Sequence, residues 1–353
     1  MNTPIALPSS PFAYGITVAS TSPTSLWGRL SRIDVATGHI ALGPKVPSYS
    51  QLFTLGGSLE VLSRASANAQ WIIRPVIGHG TSLGGATVLP IPTSASGVVS
   101  VSDGPAVGHG VWLSYGNSVF LVNASTGTLM RRENLGANVA SISMDPTGRL
   151  LYAALDELMA HPTARVATVI DELDARTGRV LAHVGIEFTL GGANLEAVRG
   201  GVWVSYRGGM MGTAQLLRAS GLAMVQPPSG SARRDETIPT MGAEITMGIW
   251  TAQVGSMFWL QASFGTSCVA PSSGAFRAGT AYPTRTETSV SKDQSVKWDG
   301  HLFSSGGIAH TKTTLSWDPF ASWNGHVYAT NGLADSGSAS TEVLSVTVPS
   351  VCR

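Results

Sequence analysis

The chain has 353 residues and a net charge of +1, and Lys, Arg, Asp and Glu make up only 12% of it, against about 25% in an average soluble domain. Basic residues cluster no further than the pairs at 131–132 and 233–234, which excludes the basic stripe of a nucleic-acid-binding or polybasic membrane surface. Its longest apolar runs are far short of the ~20 residues needed to span a bilayer. The 41 glycines favour short strands and tight turns over long helices.

The first ten residues contain neither a basic stretch nor an apolar stretch, so no signal peptide is expected there. Two cysteines, Cys268 and Cys352, allow either one disulfide or two separate thiols. We expect the disulfide, because Cys352 is the penultimate residue and a bridge would hold a C-terminal strand in place. A bridge implies an oxidising compartment. With the low charge and the many Ser and Thr residues, it favours a secreted or extracytoplasmic protein over a cytoplasmic one.

A short apolar run centred on an aromatic residue recurs along the chain. The sequence Gly-Val-Trp-Leu-Ser-Tyr at 110–115 returns almost unchanged as Gly-Val-Trp-Val-Ser-Tyr at 201–206. The mean spacing of the copies, about 50 residues, is that of one four-stranded blade of a β-propeller. We therefore expect the seven central aromatic residues to occupy equivalent strands: Tyr14, Trp71, Trp112, Tyr152, Trp203, Trp259 and Tyr328.

Two turn signals accompany the aromatic runs. The pattern Asp/Asn-x-x-Thr-Gly ends at Gly38, Gly127 and Gly178. Its first side chain binds nearby backbone amides, and its glycine supplies the positive φ that returns the chain as a second strand. The sequence Asp-Pro-Thr-Gly at 145–148 follows an alternating apolar segment and predicts a hairpin.

Residues 139–184, with both turn signals, resemble the YVTN-type and PQQ-like repeat propellers, a superfamily that includes streptogramin lyases and quinoproteins. The resemblance implies an all-β fold, a single β-propeller over residues 1–353. Seven four-stranded antiparallel blades are the best count, with six or eight left open by one long gap between copies. The tryptophan docking pattern of the PQQ enzymes and the Trp-x-Thr-Glu runs of the lyases are absent from this sequence.

Ring closure is expected to involve both ends of the chain. Residues 343–348 are the last strand-like segment and residues 5–18 the first. Since a propeller must join its first and last blades, these segments are expected to meet in the closing region. Cys268 would then lie in the blade before it.

Three carboxylates are candidates for a metal site: Glu60, Glu196 and Glu244. Each precedes an aromatic run, so we expect them on innermost strands, facing the central channel. Converging carboxylates would hold a hard divalent cation, Ca²⁺ or Mg²⁺. Alternatively, they line a wet channel mouth or pair with neighbouring arginines.

The segment 292–323 departs most from the repeat and is expected to be an irregular insertion, a common place for binding residues. It would stack a sugar ring or a planar ligand, or instead serve as a plug that closes the ring. The candidate ligand-binding residues are Trp298, Asp299, His301, His310 and Trp317.

No nucleophile elbow and no phosphate-cradling loop occur in the sequence. We therefore expect an extracellular recognition or scaffold propeller that binds a small molecule, a carbohydrate or a protein at the channel mouth. The alternative is a channel-mouth lyase or hydrolase that uses a divalent cation held by the carboxylates, with a histidine such as His310. A redox quinoprotein is a third, more distant alternative.

Overall fold

The computed structural model describes the chain in segments, and every named element in them is a β-strand except one 3₁₀ turn at Gly78–Gly80. Within these residues, no helix is long and apolar enough to cross a membrane. Side chains are described only within residues 5–204. The described residues are 5–7, 10–18, 27–34, 40–47, 50–64, 69–93, 99–157, 166–187, 193–208, 211–220, 223–224, 250–254, 257–262, 265–269, 276–281, 300–304, 318–323, 326–330 and 342–347.

The all-β fold is confirmed. The described strands form seven antiparallel sheets, numbered here in chain order, of which six have four strands and sheet 2 has five. Sheet 1 contains β1 (Ile5–Ala6), β2 (Phe12–Val18), β3 (Trp27–Asp34) and β4 (Ile40–Pro47). Sheet 2 contains β5 (Gln51–Leu55), β6 (Ser58–Ser63), β7 (Ile72–Ile77), β8 (Ser82–Leu83) and β9 (Thr87–Val88). Sheet 3 contains β10 (Val99–Val101), β11 (Gly110–Tyr115), β12 (Ser118–Asn123) and β13 (Leu129–Asn134).

The remaining four sheets continue the series. Sheet 4 contains β14 (Asn138–Met144), β15 (Leu150–Asp156), β16 (Val166–Asp174) and β17 (Val180–Glu187). Sheet 5 contains β18 (Ala193–Val198), β19 (Gly201–Gly208), β20 (Met211–Ser220) and β21 (Ala223–Met224). Sheet 6 contains β22 (Trp250–Val254), β23 (Met257–Ala262), β24 (Gly265–Val269) and β25 (Phe276–Ala281). Sheet 7 contains β26 (Gly300–Ser304), β27 (Asp318–Trp323), β28 (His326–Thr330) and β29 (Glu342–Thr347).

The sheets follow one another around a ring, and the strand on its inner side is the first strand in sheets 1 to 6 and β27 in sheet 7. Strand β14 contacts β10 and β18, and β22 contacts β18 and β27. Strand β1 contacts both β27 and β5, which brings the last sheet against the first. This arrangement is that of a β-propeller. Seven sheets are present in the described residues, and seven blades for the whole chain stays a prediction.

Polar side chains on the inner strands bind the backbone of the next sheet. Gln51 Nε2 donates to the Val99 carbonyl at 2.8 Å. Ser100 Oγ donates to the Ala140 carbonyl at 3.4 Å, and Ser141 Oγ to the Ala193 carbonyl at 2.5 Å. Ser100 directly follows Val99, which accepts from sheet 2, and Ser141 directly follows Ala140, which accepts from sheet 3. These bonds fix neighbouring sheets in register at the centre of the ring.

The hydrophobic core is divided into layers, each between two consecutive sheets. The layer between sheets 2 and 3 contains Phe53, Trp71 and Phe120, all buried. The layer between sheets 3 and 4 contains Trp112 and Leu151. Each sheet is covered on both faces by the sheets on either side of it. Its second strand is therefore buried at successive positions, as in Gly-Val-Trp-Leu-Ser of β11, and does not alternate between apolar and polar residues.

Two copies of the Asp/Asn-x-x-Thr-Gly pattern form the turns that the sequence predicts, and the third copy, which ends at Gly38, lies outside the described residues. Asn123 Oδ1 accepts from the Thr126 amide at 3.0 Å, and Asp174 Oδ1 from the Thr177 amide at 2.7 Å. Gly127 and Gly178 both have φ of 73°. Each turn joins the third strand of a sheet to its fourth, so the repeat marks one structural position.

Six of the seven aromatic residues lie on the second strand of their sheet, counted from the ring's centre, as expected. The seventh, Trp71, was placed wrongly, because it directly precedes β7, the third strand of sheet 2. Trp71 still packs in the layer between sheets 2 and 3. An aromatic residue that packs in such a layer lies in the same kind of apolar run whether it comes from the second or the third strand, so the sequence does not distinguish the two.

The outer edge of sheet 2 is interrupted opposite Pro75. Strands β8 and β9 both pair with β7, on either side of that proline. Pro75 has no amide to donate to the ladder. A Cβ on Gly84 would lie 2.6 Å from Pro75 Cγ. Glycine is therefore needed where the chain passes the pyrrolidine ring of Pro75.

Ring closure differs from the expectation. The last strand, β29, pairs with β26 and β28 in sheet 7, whereas β1 and β2 belong to sheet 1. No described sheet therefore combines strands from both ends of the chain. The outermost strand of sheet 7, β26, comes from residues that precede β27. Part of the segment predicted to be an irregular insertion is thus a regular edge strand. Cys268 lies on β24 in the preceding sheet, as predicted.

Candidate functional site: the inner-loop surface

The connections between first and second strands of sheets 2 to 5 lie at the same end of the parallel inner strands. We call residues 56–57, 102–109, 145–149 and 199–200 the inner-loop surface. Leu55 and Gly104 form a parallel bridge between sheets 2 and 3. The Gly104 amide donates to the Thr54 carbonyl, and the Gly56 amide to the Gly104 carbonyl, both at 3.2 Å. The loops of sheets 2 and 3 are therefore one connected backbone unit.

The loop of sheet 4 packs directly beside that unit. Asp145 Oδ1 accepts from the Arg149 amide at 2.7 Å and from the Leu150 amide at 2.8 Å. Asp145 Oδ2 accepts from the Thr147 hydroxyl at 2.5 Å. A Cβ on Gly148 would lie 3.3 Å from Pro105 Cβ, so the two loops touch. The Asp-Pro-Thr-Gly hairpin thereby extends the surface across three sheets.

Asp103 lies near the middle of this surface. Its Oδ1 accepts from the Thr54 amide at 2.7 Å and from the Thr54 hydroxyl at 3.4 Å. The side chain is exposed, yet the protein around it limits hydration enough to raise its pKa to about 6, and the bonds from Thr54 act in the opposite direction. Near that pH the carboxyl group can either donate or accept a hydrogen bond.

The rest of the surface offers hydrogen-bond donors. His109, Arg149 and Arg199 are exposed on the loops of sheets 3, 4 and 5. Pro146 and Thr147 are exposed between them. The surface therefore combines hydrogen-bond donors, an acceptor with a raised pKa and a rigid backbone, which suits the binding of a polar ligand.

The predicted carboxylates do not share one structural position. Glu196 lies on β18, a first strand, but Glu60 lies on β6, a second strand, so the prediction of an innermost strand was wrong for Glu60. The sequence Phe-Thr-Leu-Gly-Gly precedes both residues, at 53–57 and at 188–192, and this match led to the same prediction for both. Gly56 and Gly57, however, form the turn between β5 and β6, which puts Glu60 on the second strand, whereas Glu196 lies on the first strand of its sheet. Glu244 lies outside the described residues.

Glu60 is half-buried beside Phe53, its cross-strand partner. Phe53 belongs to the core layer between sheets 2 and 3, so Glu60 faces that layer, and burial raises its pKa to about 7. Among the described residues, no three His, Cys, Asp or Glu side chains are placed to hold a metal ion. The cation site, with Ca²⁺ or Mg²⁺, stays a prediction.

The predicted ligand-binding residues of the segment 292–323 fall mostly outside the described part of the chain. His301 is the exception: its backbone belongs to β26 and pairs with Ser345. That strand lies at the outer edge of sheet 7, away from the channel mouth where we expected it. The residues that lie outside the described part are Trp298, Asp299, His310 and Trp317.

The sequence analysis missed Asp103, although Ser-Asp-Gly-Pro at 102–105 is a recognisable turn signal. It also missed Glu172, which is fully buried between sheets 4 and 5, with neither carboxylate oxygen hydrogen-bonded. Burial raises the pKa of Glu172 to about 7, and the charge of Asp145 adds to the effect. Since Glu172 has no contact with solvent, it bears on stability rather than on the surface.

No family model matches the sequence, and no curated protein matches it. Raptor from Chaetomium thermophilum is structurally similar, with a TM-score of 0.55 and 10% identity over 99% of this chain. The chain spans 28% of the Raptor chain. Hydrazine synthase from Kuenenia stuttgartiensis matches 72% of this chain and 75% of its own at 11% identity, with a TM-score of 0.47. At this identity, the similarity to Raptor shows a shared fold alone.

Proposed function

We propose that this chain is an extracellular recognition or scaffold propeller, a single domain of seven blades over residues 1–353, which binds its ligand without transforming it. The ligand is a small molecule, a carbohydrate or a protein. The observation that carries the proposal is the inner-loop surface, where loops of neighbouring sheets are joined backbone to backbone around Asp103. A binding residue held in this way loses little conformational freedom when a ligand arrives.

The position of the surface supports the same function. Propellers bind ligands at one end of the central channel, where loops from several blades converge. The side-chain bonds from Gln51, Ser100 and Ser141 hold the inner strands beneath these loops. The loops can therefore vary in sequence while the scaffold stays fixed, which is the arrangement that a recognition protein needs.

The test is a thermal-shift and calorimetric screen of the full chain against simple sugars and Ca²⁺, with EDTA as a separate arm. We expect a sugar to raise the melting temperature of the wild type, and Asp103→Asn to weaken its binding by about tenfold, the effect of losing one charge-assisted hydrogen bond. Glu133→Gln, on the outer strand β13, removes a charge elsewhere and should leave binding unchanged.

Mass spectrometry of the bound sugar separates recognition from catalysis. The proposal expects the ligand to be recovered intact after prolonged incubation. Turnover that requires Ca²⁺ and disappears with EDTA would contradict it and support the cation-dependent lyase or hydrolase instead. Sugar binding that Asp103→Asn leaves unchanged would show that the inner-loop surface is not the site.

A further inference from the structure

A second site lies at the outer rim, away from the inner-loop surface. Here a pocket of about 300 Å³ opens between sheets 1 and 2. Arg32 and residues 41–44 form one wall, and residues 79–81, from the turn after β7, form the other. The pocket is built from third and fourth strands, β3 and β4, whereas the inner loops join first and second strands.

The two walls approach as closely as their backbones allow. A Cβ on Gly43 would collide with the carbonyl oxygen of Gly80. A Cβ on Gly80 would lie 2.9 Å from Cε1 of Tyr14. Both positions therefore require glycine, and the two walls of the pocket meet with their backbones in direct contact.

Arg32 supplies the positive charge of the pocket. Its Cζ lies over the Phe12 ring, 4.6 Å from the centroid, in cation–π contact. One nitrogen, Nη1, donates to the His79 carbonyl at 3.5 Å. In the described part of the chain, no carboxylate forms an ion pair with Arg32. Most of its five N–H donors remain available for a ligand.

The nearest acidic residue on the strand is Asp34, which begins the Asp-x-x-Thr-Gly pattern of sheet 1. The equivalent side chains in sheets 3 and 4, Asn123 and Asp174, accept hydrogen bonds from the amides of their own turns. The pattern predicts the same role for Asp34, whose turn lies outside the described residues.

His79 stands at the rim in a conformation that side chains rarely adopt. Its φ is 52°, and among the described residues no other non-glycine residue has a positive φ. The flanking Gly78 and Gly80 have φ of 61° and 86°. Glycine would fit position 79 with less strain, yet an exposed imidazole occupies it. Strained residues of this kind concentrate at binding sites.

Beside Arg32, the same wall of the pocket is apolar. Ala41 is the cross-strand partner of Arg32 and lies on the same face of sheet 1, and Pro44 lines the pocket with it. Apolar side chains next to an arginine offer complementary surfaces to a molecule that is anionic at one end and apolar at the other.

We propose that this rim pocket binds a small organic carboxylate that carries an apolar substituent. The carboxylate accepts from the guanidinium fork of Arg32, which matches its geometry, and from an imidazole N–H of His79. The apolar substituent lies against Ala41 and Pro44. The volume is at the lower end of small-molecule sites, so a single ring or a short chain fits it.

In the experiment, 3-phenylpropionate is titrated into the 353-residue chain. Binding is measured by calorimetry and by the NMR signals of the imidazole C–H groups. The neutral 3-phenylpropionamide and inorganic phosphate are the comparison ligands. We expect saturable binding of the acid that shifts the His79 signal, and binding at least about tenfold weaker for the amide, because it lacks the charge. Phosphate, which has no apolar part, should also bind more weakly.

Variants assign the site. Arg32→Gln should weaken binding of the acid by about tenfold or more, and His79→Gly by a smaller factor. Arg132→Gln is the matched control, because Arg132 also stacks on a ring, 5.4 Å from the centroid of Phe120, but lies outside the pocket. If Arg32→Gln fails to fold, Arg32→Lys keeps the charge without the fork and should also weaken binding.

Equal binding of the acid and the amide would overturn the inference, as would unchanged binding in a folded Arg32 variant or no saturable binding by the wild type. Phosphate binding as tight as that of the acid would remove the apolar part of the claim and so overturn it as stated. The result is independent of the recognition function proposed above, since Asp103→Asn should leave binding of 3-phenylpropionate unchanged.

Discussion

The indole nitrogen of Trp112, on the second strand of sheet 3, donates a hydrogen bond to the Ala175 carbonyl of sheet 4 at 2.8 Å. Ala175 follows Asp174 in the Asp-x-x-Thr-Gly turn, and a Cβ on Gly178 of the same turn would lie 3.1 Å from the Trp112 ring. The two repeated sequence signals therefore meet in space. The aromatic residue of one sheet binds the turn of the next.

Trp112→Phe should lower the free energy of unfolding more than Trp71→Phe does. Both indoles are buried, and both substitutions remove similar volume. Trp71 Nε1 has no hydrogen-bond partner, whereas Trp112→Phe leaves the Ala175 carbonyl unsatisfied, at a cost of about 1–3 kcal/mol. Urea denaturation of the two variants gives the comparison. A larger loss for Trp71→Phe would show that volume, not the hydrogen bond, dominates.

Ser141→Ala should destabilise the protein by about 1 kcal/mol, the usual net value of one hydrogen bond. The substitution removes the bond from Ser141 Oγ to the Ala193 carbonyl between the inner strands of sheets 4 and 5. Ser114→Ala is the matched control, because Ser114 Oγ is buried without a partner, and its removal should be neutral or stabilising. Chemical denaturation measures both, and equal effects would argue against a stabilising inter-sheet bond.

Glu172→Gln should reduce the loss of stability at rising pH. Burial raises the pKa of Glu172 from 4.5 to about 7, so the folded state keeps a proton that the unfolded chain releases in this interval. Stability contributed by the protonated group is therefore lost as pH rises from 4.5 to about 7. The glutamine variant cannot ionise, and its stability advantage at about pH 8 should be on the order of 2 kcal/mol larger than at about pH 4.5.

The measurement is a set of melting curves across this pH range, with Glu133→Gln as the control for loss of a charge on the outer strand β13. The Glu172→Gln variant should keep a residual decline, because burial also raises the pKa of Glu60 to about 7 and those of Asp103 and Asp171 to about 6. Parallel pH profiles for the wild type and Glu172→Gln would count against a buried, ionising Glu172.

His79→Gly should raise the melting temperature while it weakens binding in the rim pocket. Glycine adopts the φ of 52° seen at this position without the steric cost that a side chain carries, about 1–2 kcal/mol. Gly80→Ala should have the opposite effect on stability, since its methyl group would press on the Tyr14 ring. Calorimetric scans test both, and a destabilised His79→Gly would mean that the imidazole supports the turn.

Titration of the unfolded, unreduced protein with a thiol reagent should find no free thiol. Cys268 lies on β24, Cys352 lies outside the described residues, and their pairing remains a prediction. The bridge would close a long loop, which in the chain-entropy model stabilises by roughly 4 kcal/mol. Two reactive thiols per chain would contradict the bridge and remove its support for an extracellular location. Cys268→Ser should then leave the melting temperature nearly unchanged.

Most of the local structure could be predicted from the sequence. The all-β class, the hairpin at Asp145 and the turns ending at Gly127 and Gly178 follow from side-chain-to-amide bonds and positive φ within a few residues. The candidate sites were less accessible. The sequence around Asp103 predicts a turn, but no sequence pattern predicts its hydrogen bond with Thr54 of another sheet.

What only the tertiary structure decided is the order of strands within sheets and the neighbours that sheets acquire. The sequence places Trp71 with the other aromatic residues and Glu60 with Glu196, yet sheet 2 puts Trp71 before its third strand and Glu60 on its second. The rim pocket brings Arg32 to His79, 47 residues apart. The sequence around an apolar core residue looks the same whichever strand of the sheet carries it. Pairing and packing between distant segments depend instead on the whole ring. The strands and turns of this protein are therefore determined locally, and its sites are determined by which sheets become neighbours.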